Sequence, residues 1–514
     1  MAEATTDPAA PEHLDVLVVG AGLSGIGAGH HIQRDLPWAS YAIVEARGAI
    51  GGTWDLFRYP GIRSDSDMFT LGYGFRPWDG AKTIADGDDI LQYIRDTAAE
   101  EGIDRHIRFH QRIVAAAWST EDARWTVTVE HTDSGERSTL TCGFLFSCTG
   151  YYRYDQGHQP QFPGREDFGG AWVHPQHWPE DLDVTGKRVV VIGSGATAVT
   201  LIPSLARTAE HVTMLQRSPT YIATLPAKDP VVEVLRKVLP ARWSGPVVRW
   251  FKALTTLASY NISRRRPRLV RRLLRRLTER QLPPGYDVDT HFSPRYDPWD
   301  QRVCAVPDGD LFKVIRDGSA SVVTDHVDAI TADGIRLRSG EELPADVIVS
   351  ATGLELLFLG GMELTVDGEP VDPAERMAYK GMMLEDVPNL ALAIGYTNAS
   401  WTLKCELTCE YVTRLLTHMH DRGLRQCTAR NDDPTVTHEP LLPLTSGYVT
   451  RSAHLMPKQG SRFPWKVYQS YLKDHRAMRR SDVVDDVMQL SNPEPRAPGA
   501  SAPSAGRVPE PTPA

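Results

Sequence analysis

Six cysteines in 514 residues, Cys142, Cys148, Cys304, Cys405, Cys409 and Cys427, are too few and too scattered to frame a fold. No two stand at Cys-x-x-Cys spacing, which excludes a zinc ribbon and a thioredoxin-like redox pair. Six reduced thiols of a cytosolic protein are expected instead. There is no apolar run of about 18 residues, so no helix is expected to span a membrane. Positive charge is in deficit, with 56 Lys and Arg against 65 Asp and Glu for a net charge of −9. That argues against a nucleic-acid partner, which calls for a domain that is basic overall. The opening residues MAEATTDPAAPEH carry neither a basic nor an apolar signal region, so a cytoplasmic location is expected. The stretch from Ser491 onward is Pro-, Ala-, Gly- and Ser-rich with little to bury, and disorder is expected there.

What the chain does have is glycine in two telling places. Leu14–Val19 is a short apolar run of the kind that forms a buried parallel strand, and Gly20, Gly22 and Gly25 follow it at GxGxxG spacing. In such a loop one glycine makes the tight turn, one lets the backbone approach a pyrophosphate and one lets helix and strand pack closely. The amides opening the next helix then face the phosphate oxygens. A second strand, Tyr41–Val44, ends at Glu45, a carboxylate placed to accept hydrogen bonds from ribose hydroxyls. The pattern returns at Lys187–Ile192 with Gly193, Gly195 and Ala198, followed by the strand His211–Gln216. This second module ends in Arg217 and Ser218 where the first ends in Glu45. A guanidinium beside a hydroxyl suits a 2′-phosphate and removes the acid that would repel it. The first module therefore fits an adenine dinucleotide lacking that phosphate, and the second fits NADPH.

The fold class expected is α/β, with two Rossmann-like dinucleotide-binding domains and a helical insertion in the second. The first domain takes residues 13–150 and returns at 346–490. A connector spans 151–186, the second domain takes 187–222 and 295–345, the insertion 223–294, and the tail 491–514. Phe144–Gly150 and Asp346–Gly353 are apolar runs ending in Thr-Gly that close the sheets and carry the chain between domains. Phe168–Glu180, FGGAWVHPQHWPE, is too rich in Gly, Pro and aromatics for a regular element and reads as a coupling segment. In Arg264–Arg276 the apolar residues Leu269, Val270, Leu273, Leu274 and Leu277 recur at helical spacing, with Arg271, Arg272, Arg275 and Arg276 on the other face. That helix either packs its apolar face on the nucleotide domain, leaving the basic face in water, or rests the basic face on anionic lipid. The second alternative places the protein at the inner face of the cell membrane. No cysteine pair stands in the segment after the first module. Trp54 and Tyr59 occupy the spacing at which flavin-dependent disulfide reductases carry their dithiol.

Phe168-x-Gly170-x3-His174-x3-Trp178-Pro179 matches the FxGxxxHxxxWP fingerprint of type I Baeyer–Villiger monooxygenases, which the chain resembles from about Leu14 to about Asp485. Gly52-x-Trp54-x4-Tyr59-Pro60-Gly61-x3-Asp65 matches that family's second signature. The related flavin-containing monooxygenases share a similar FxGxxxH segment and usually lack the Trp-Pro ending. The resemblance implies a tightly bound FAD reduced by NADPH, and reaction with O2 to a C4a-peroxyflavin. That species attacks a small-molecule ketone to give an ester or lactone, or passes oxygen to a soft sulfur. It implies FAD contacts along the second signature, including Gly52 and Trp54. It also implies an active-site arginine at Arg302, aimed by the carboxylate of Asp65. His174 is then a residue that couples nucleotide state to domain position. One departure is Gln301, where the family often has a lysine that helps to hold the 2′-phosphate, so NADPH preference rests on Arg217 and Ser218.

Overall fold

The computed structural model describes residues 11–492. The first unit opens with β1 (His13–Val19), α1 (Leu23–Asp35) and β2 (Tyr41–Val44). β1 has aliphatic side chains on both faces of the strand, so it is stable only between covering layers, and it lies in the interior of a nine-stranded sheet. Its partners are β2 on one side and β6 (Arg137–Ser147) on the other, both parallel to it. β3 (Ile107–Arg108) extends the sheet beyond β2. β4 (Gln111–Ser119) and β5 (Arg124–His131) add an antiparallel meander onto β6. One apolar cluster packs α1 against one face of this sheet, and a second cluster, with Trp118 and Trp125, covers the other.

The second unit is a five-stranded parallel sheet. β7 (Ala171–Val173) is its edge, β8 (Arg188–Ile192) leads into α2 (Ala196–Leu205), and β9 (His211–Gln216) follows. β10 (Ile222–Leu225) and β11 (Cys304–Pro307) pair with each other beneath it. The strands β12 (Ala320–Thr324) and β13 (Val347–Ser350) complete an order of β12, β9, β8, β13, β7. Two details differ from the sequence reading. Phe168–Glu180 is not wholly irregular, since Ala171–Val173 pairs with β13 as an edge strand. The residues from 346 were assigned to the returning first unit, yet β13 pairs with β8 and belongs to the second sheet. The apolar run Val347–Ser350 is buried on both faces there, so the change of unit comes after it.

Between β10 and β11 lies the insertion, helical as expected from Pro230 rather than from residue 223. Its longer helices are α3 (Pro230–Val238), α4 (Ala241–Arg265) and α5 (Pro267–Glu279), and a short one follows at Val288–Phe292. The basic stretch is broken into two helices, because Pro267 cannot continue α4 and instead starts α5. Among the described residues no helix is long and apolar enough to cross a membrane. The chain then returns to the first unit, where α6 (Trp401–Asp421) packs along α1. Ser491, placed in the tail by composition, closes the last strand opposite Gln426, and the rest of that segment lies outside the described residues.

Candidate active site

The two units face each other across a cavity of about 1150 Å³. Its walls are set by the two glycine loops. In the first loop Gly25 must be glycine, because a Cβ there would sit 1.8 Å from the carbonyl oxygen of Gly20. That contact brings the start of α1 down onto the end of β1. Gly52 adopts φ +56°, and a Cβ on it would come 3.2 Å from the Gly22 Cα. Two bare backbones thus face each other and leave a groove that any side chain would fill. Glu45 is buried at the end of β2, its Oε2 accepting from the Ala21 N–H at 2.8 Å and its Oε1 from the Arg47 N–H at 2.9 Å. Burial raises its pKa, and those two amides work against the rise. Gly20, Gly22, Glu45, Gly52, Trp54 and Asp65 all line the cavity, whereas Gly25 packs behind it.

The second loop repeats the geometry in β8. Gly193 has φ +136°, and the position of Gly195 is open, with no atom within 4 Å of where a Cβ would stand. Ala198, in the first turn of α2, is fully buried. The cavity touches this module at Ala196, Thr197 and Thr200. Arg217 and Ser218 lie outside it on an exposed rim past β9, and Arg217 has no ion-pair partner among the described residues. The Ser194 hydroxyl donates to the Ser218 carbonyl at 3.2 Å, tying the glycine loop to that rim.

Arg302 and Asp65 are 237 residues apart, and the fold brings them together: Arg302 Nη1 donates to Asp65 Oδ2 at 2.7 Å. Asp65 rides on the segment after Gly61, where the Gly61 backbone packs against Ser204 of α2. Arg302 arrives on the strand-like approach to β11. Burial opposes the charge on Arg302, and the surrounding Tyr448, Asp65, Tyr151 and Tyr152 groups outweigh that effect, holding it protonated. Its Nε is buried without an acceptor, as are Arg63 Nε, Arg153 Nε and Thr83 Oγ1, which line the same cavity. A donor left unpaired in this way awaits a ligand, since an unmade buried hydrogen bond is costly.

Several residues of this site carry no signal that sequence reasoning could use. Asp55 is buried and pairs with Arg47, Arg58 and Arg95 at 2.7, 3.1 and 3.0 Å, fixing the segment that carries Trp54. Tyr151 and Tyr152 follow β6 and stand against Arg302, and burial pushes Tyr151 up to about 12. His174 lies away from the cavity. Its Nδ1 accepts from the Gln176 N–H at 3.2 Å, and burial lowers its pKa. Gln176 in turn donates to the Arg153 and Tyr154 carbonyls, both at 2.9 Å. The connector therefore ties the edge of the second sheet to a strap that lines the cavity. Among the described residues no cluster of His, Cys, Asp or Glu could hold a metal ion.

Two strand–glycine–helix modules opening on one cavity, with aromatic residues where a dithiol would stand, define a two-dinucleotide flavoprotein that works without a disulfide. The model of the flavin-binding monooxygenase-like family matches residues 80–230. The chain is 54% identical to the FAD-containing monooxygenase EthA of Mycobacterium tuberculosis over 93% of its length and 98% of that protein's. It is 47% identical to the probable FAD-binding monooxygenase AlmA of Acinetobacter baylyi, over 93% and 96%. The chain belongs to this family of FAD-containing monooxygenases. Among solved structures it shares its fold with a steroid monooxygenase bound to NADP, at a TM-score of 0.72 and 21% identity over 93% of this chain and 100% of that one. A cyclohexanone monooxygenase with bound ε-caprolactone matches at a TM-score of 0.67 and 20% identity over 82% and 90%. The residues present fit an FAD. The bare backbones of Gly22 and Gly52 leave a groove, and Glu45 lines the same cavity at the end of β2.

Proposed function

We propose that this enzyme uses FAD, NADPH and O2 to insert one oxygen atom beside a ketone carbonyl, and that it also oxygenates thioethers and thioamides. The observation that carries this reading is the Arg302–Asp65 pair, a fixed cation on the cavity with an unpaired N–H. When bound, the reduced flavin activates O2 and supplies the oxygen atom that is transferred. FAD would be held by Gly20, Gly22, Glu45, Gly52 and Trp54, with Gly25 letting α1 pack close behind them. NADPH is held by Gly193, Gly195 and Ala198, with Arg217 and Ser218 taking its 2′-phosphate. Asp65 aims the guanidinium, and a carboxylate beside it keeps that guanidinium oriented. Arg302 stabilises the negative oxygen that develops on the ketone carbon as oxygen adds, an effect strongest where water is excluded. Tyr151, Tyr152 and Trp401 line the same cavity. The first domain is residues 13–150 with the later part of 346–490, the second is 187–222 with 295–345 and the β13 strand, and the connector couples them. We also read the basic insertion as a peripheral contact with an anionic membrane surface, supported by its unpaired arginines.

Product analysis with a simple ketone and a thioether, with NADPH consumption corrected for peroxide, tests the reading. An ester or lactone from the ketone is expected. Sulfoxide alone would point instead to the flavin-containing N- and S-hydroxylating monooxygenases. NADPH oxidation yielding only peroxide from both would overturn the oxygenase reading.

A further inference from the structure

The insertion has two working faces. On the inside, Lys252, Ala253, Thr256 and Ser263 of α4 and Val270 and Leu274 of α5 line the cavity that holds Arg302 and Asp65. On the outside, Leu269, Leu273 and Leu277 are 59%, 53% and 44% exposed. The apolar residues of α5 thus divide between cavity and water, and neither sequence alternative anticipated that. Of the seventeen exposed large hydrophobic residues in the described chain, eleven lie between Leu225 and Leu277. A concentration of that kind marks an interaction surface.

The charge of the insertion, exposed next to those leucines along the chain, identifies the partner. Residues 230–280 hold fourteen Arg and Lys against two Glu, in a chain whose net charge is −9. Arg264, Arg271 and Arg275 are paired with Asp300, Asp297 and Asp289. Arg265, Arg266, Arg268, Arg272, Arg276 and Arg280 have no acidic partner among the described residues. A second copy of this face would bring like charges together. A nucleic acid would pair the arginines and leave the leucines in water. An anionic bilayer satisfies both at once, with leucines entering the headgroup boundary and arginines meeting lipid phosphates.

The cavity also opens here. Leu225, Thr255 and Ser259 line it and are exposed, beside the exposed Leu254 and Ile262. We propose that the insertion docks on an anionic bilayer and that the cavity draws a lipid-soluble ketone or thioether from that bilayer through this mouth. The substrate half of the inference rests on the oxygenase reading, whereas the docking half does not.

The test uses the FAD-loaded full chain, sedimented with vesicles of phosphatidylglycerol and phosphatidylcholine or of phosphatidylcholine alone. At least tenfold tighter binding to the anionic vesicles is expected, weakening as salt is raised. Each arginine at such a surface strengthens binding about fivefold. Arg268→Gln/Arg272→Gln/Arg276→Gln should therefore lose roughly a hundredfold, and Leu269→Ser/Leu273→Ser/Leu277→Ser should lose at least tenfold. Both variants should keep bound flavin and oxidise a water-soluble thioether at the parent rate, while oxidation of a long-chain ketone dissolved in the vesicles falls in step with binding. Equal binding to both vesicle types, or undiminished binding by both variants, overturns the docking. Parent-rate oxidation of the vesicle-borne ketone by a variant that no longer binds overturns the delivery. Binding without oxidation of any substrate overturns the oxygenase reading and leaves the docking standing.

Discussion

Arg302 commits one Nη1 hydrogen bond to Asp65 and keeps its Nε without an acceptor, so its charge is aimed but not consumed. Arg302→Ala should retain flavin and oxidise NADPH slowly, while product formation falls by about two to three orders of magnitude, the usual loss for removing an oxyanion donor. Asp65→Ala leaves the cation in place and loosens its aim, so a smaller loss, about tenfold, is expected. Product yield per NADPH consumed measures both, and near-normal yield from Arg302→Ala would remove it from the site. Arg217, on the exposed rim past β9, is proposed to take the 2′-phosphate of NADPH. Its loss should raise the KM for NADPH by about 10- to 100-fold, the worth of a charged hydrogen bond to phosphate. NADH kinetics should barely change, and equal effects on both coenzymes would contradict the assignment. The positions of Glu45 and Arg217 just past two strands were legible because each follows a glycine loop at a fixed distance. Arg302 and Asp65 were not legible from spacing at all. They meet only through the fold, and the family resemblance alone nominated them. Asp55 with its three arginines, and the tyrosines around Arg302, had no local pattern to betray them, since isolated polar residues take meaning from what folds against them.

At the scale of elements, the two modules were readable because a buried strand, a glycine turn and a helix each leave a local signature. The meander β4–β5–β6 and the edge strand Ala171–Val173 were not, because their pairing is decided by distant partners. The placement of β13 shows the same limit, with one apolar run fitting either sheet until a partner is known. β13 is held to β8 by the strand pairing and by burial of Val347–Ser350, and a further tie at its start is Asp346. Its carboxylate accepts from the Arg188 backbone N–H at 2.8 Å, from Nε at 3.1 Å and from Nη2 at 2.7 Å. These bonds lower it from the ordinary 3.8 to about 2. A depressed carboxylate contributes stability above its unfolded pKa and loses it as pH falls through the folded one. Asp346→Asn should therefore lower the apparent Tm at neutral pH by roughly 1–3 °C, a modest amount because the pair is exposed and screened. The difference between the two proteins should shrink below about pH 4 and vanish near pH 2. A constant difference across that range would show that the charge is not the cause.

The whole molecule is two covered sheets meeting across a cavity, and its thiols report on each half separately. All six cysteines are free and buried. Burial pushes Cys304, Cys405 and Cys427 up to about 12 and raises Cys142, Cys148 and Cys409 as well. A thiol kept neutral and covered does not react, so the native protein should resist iodoacetamide near neutral pH and the unfolded chain should take up six labels. Cys304 alone belongs to the core of the second unit, and the other five lie in the two clusters of the first. The main cores of the two units are separate clusters, joined by polar or small contacts such as Arg63 with Asp310 and Gly61 with Ser204, by Tyr59 against the second core, and by small apolar patches such as Phe69 with Val232 and Val248 of the insertion. Labelling across a denaturant series should therefore give Cys304 its own midpoint, lower than that of the rest because its core is smaller. On the proposed assignment NADP+ binds only the folded second unit, so it should shift the Cys304 midpoint upward by more than the others. One common midpoint for all six thiols, unmoved by NADP+, would mean that the two sheets open as a single body and that the proposed division of the chain has no energetic counterpart.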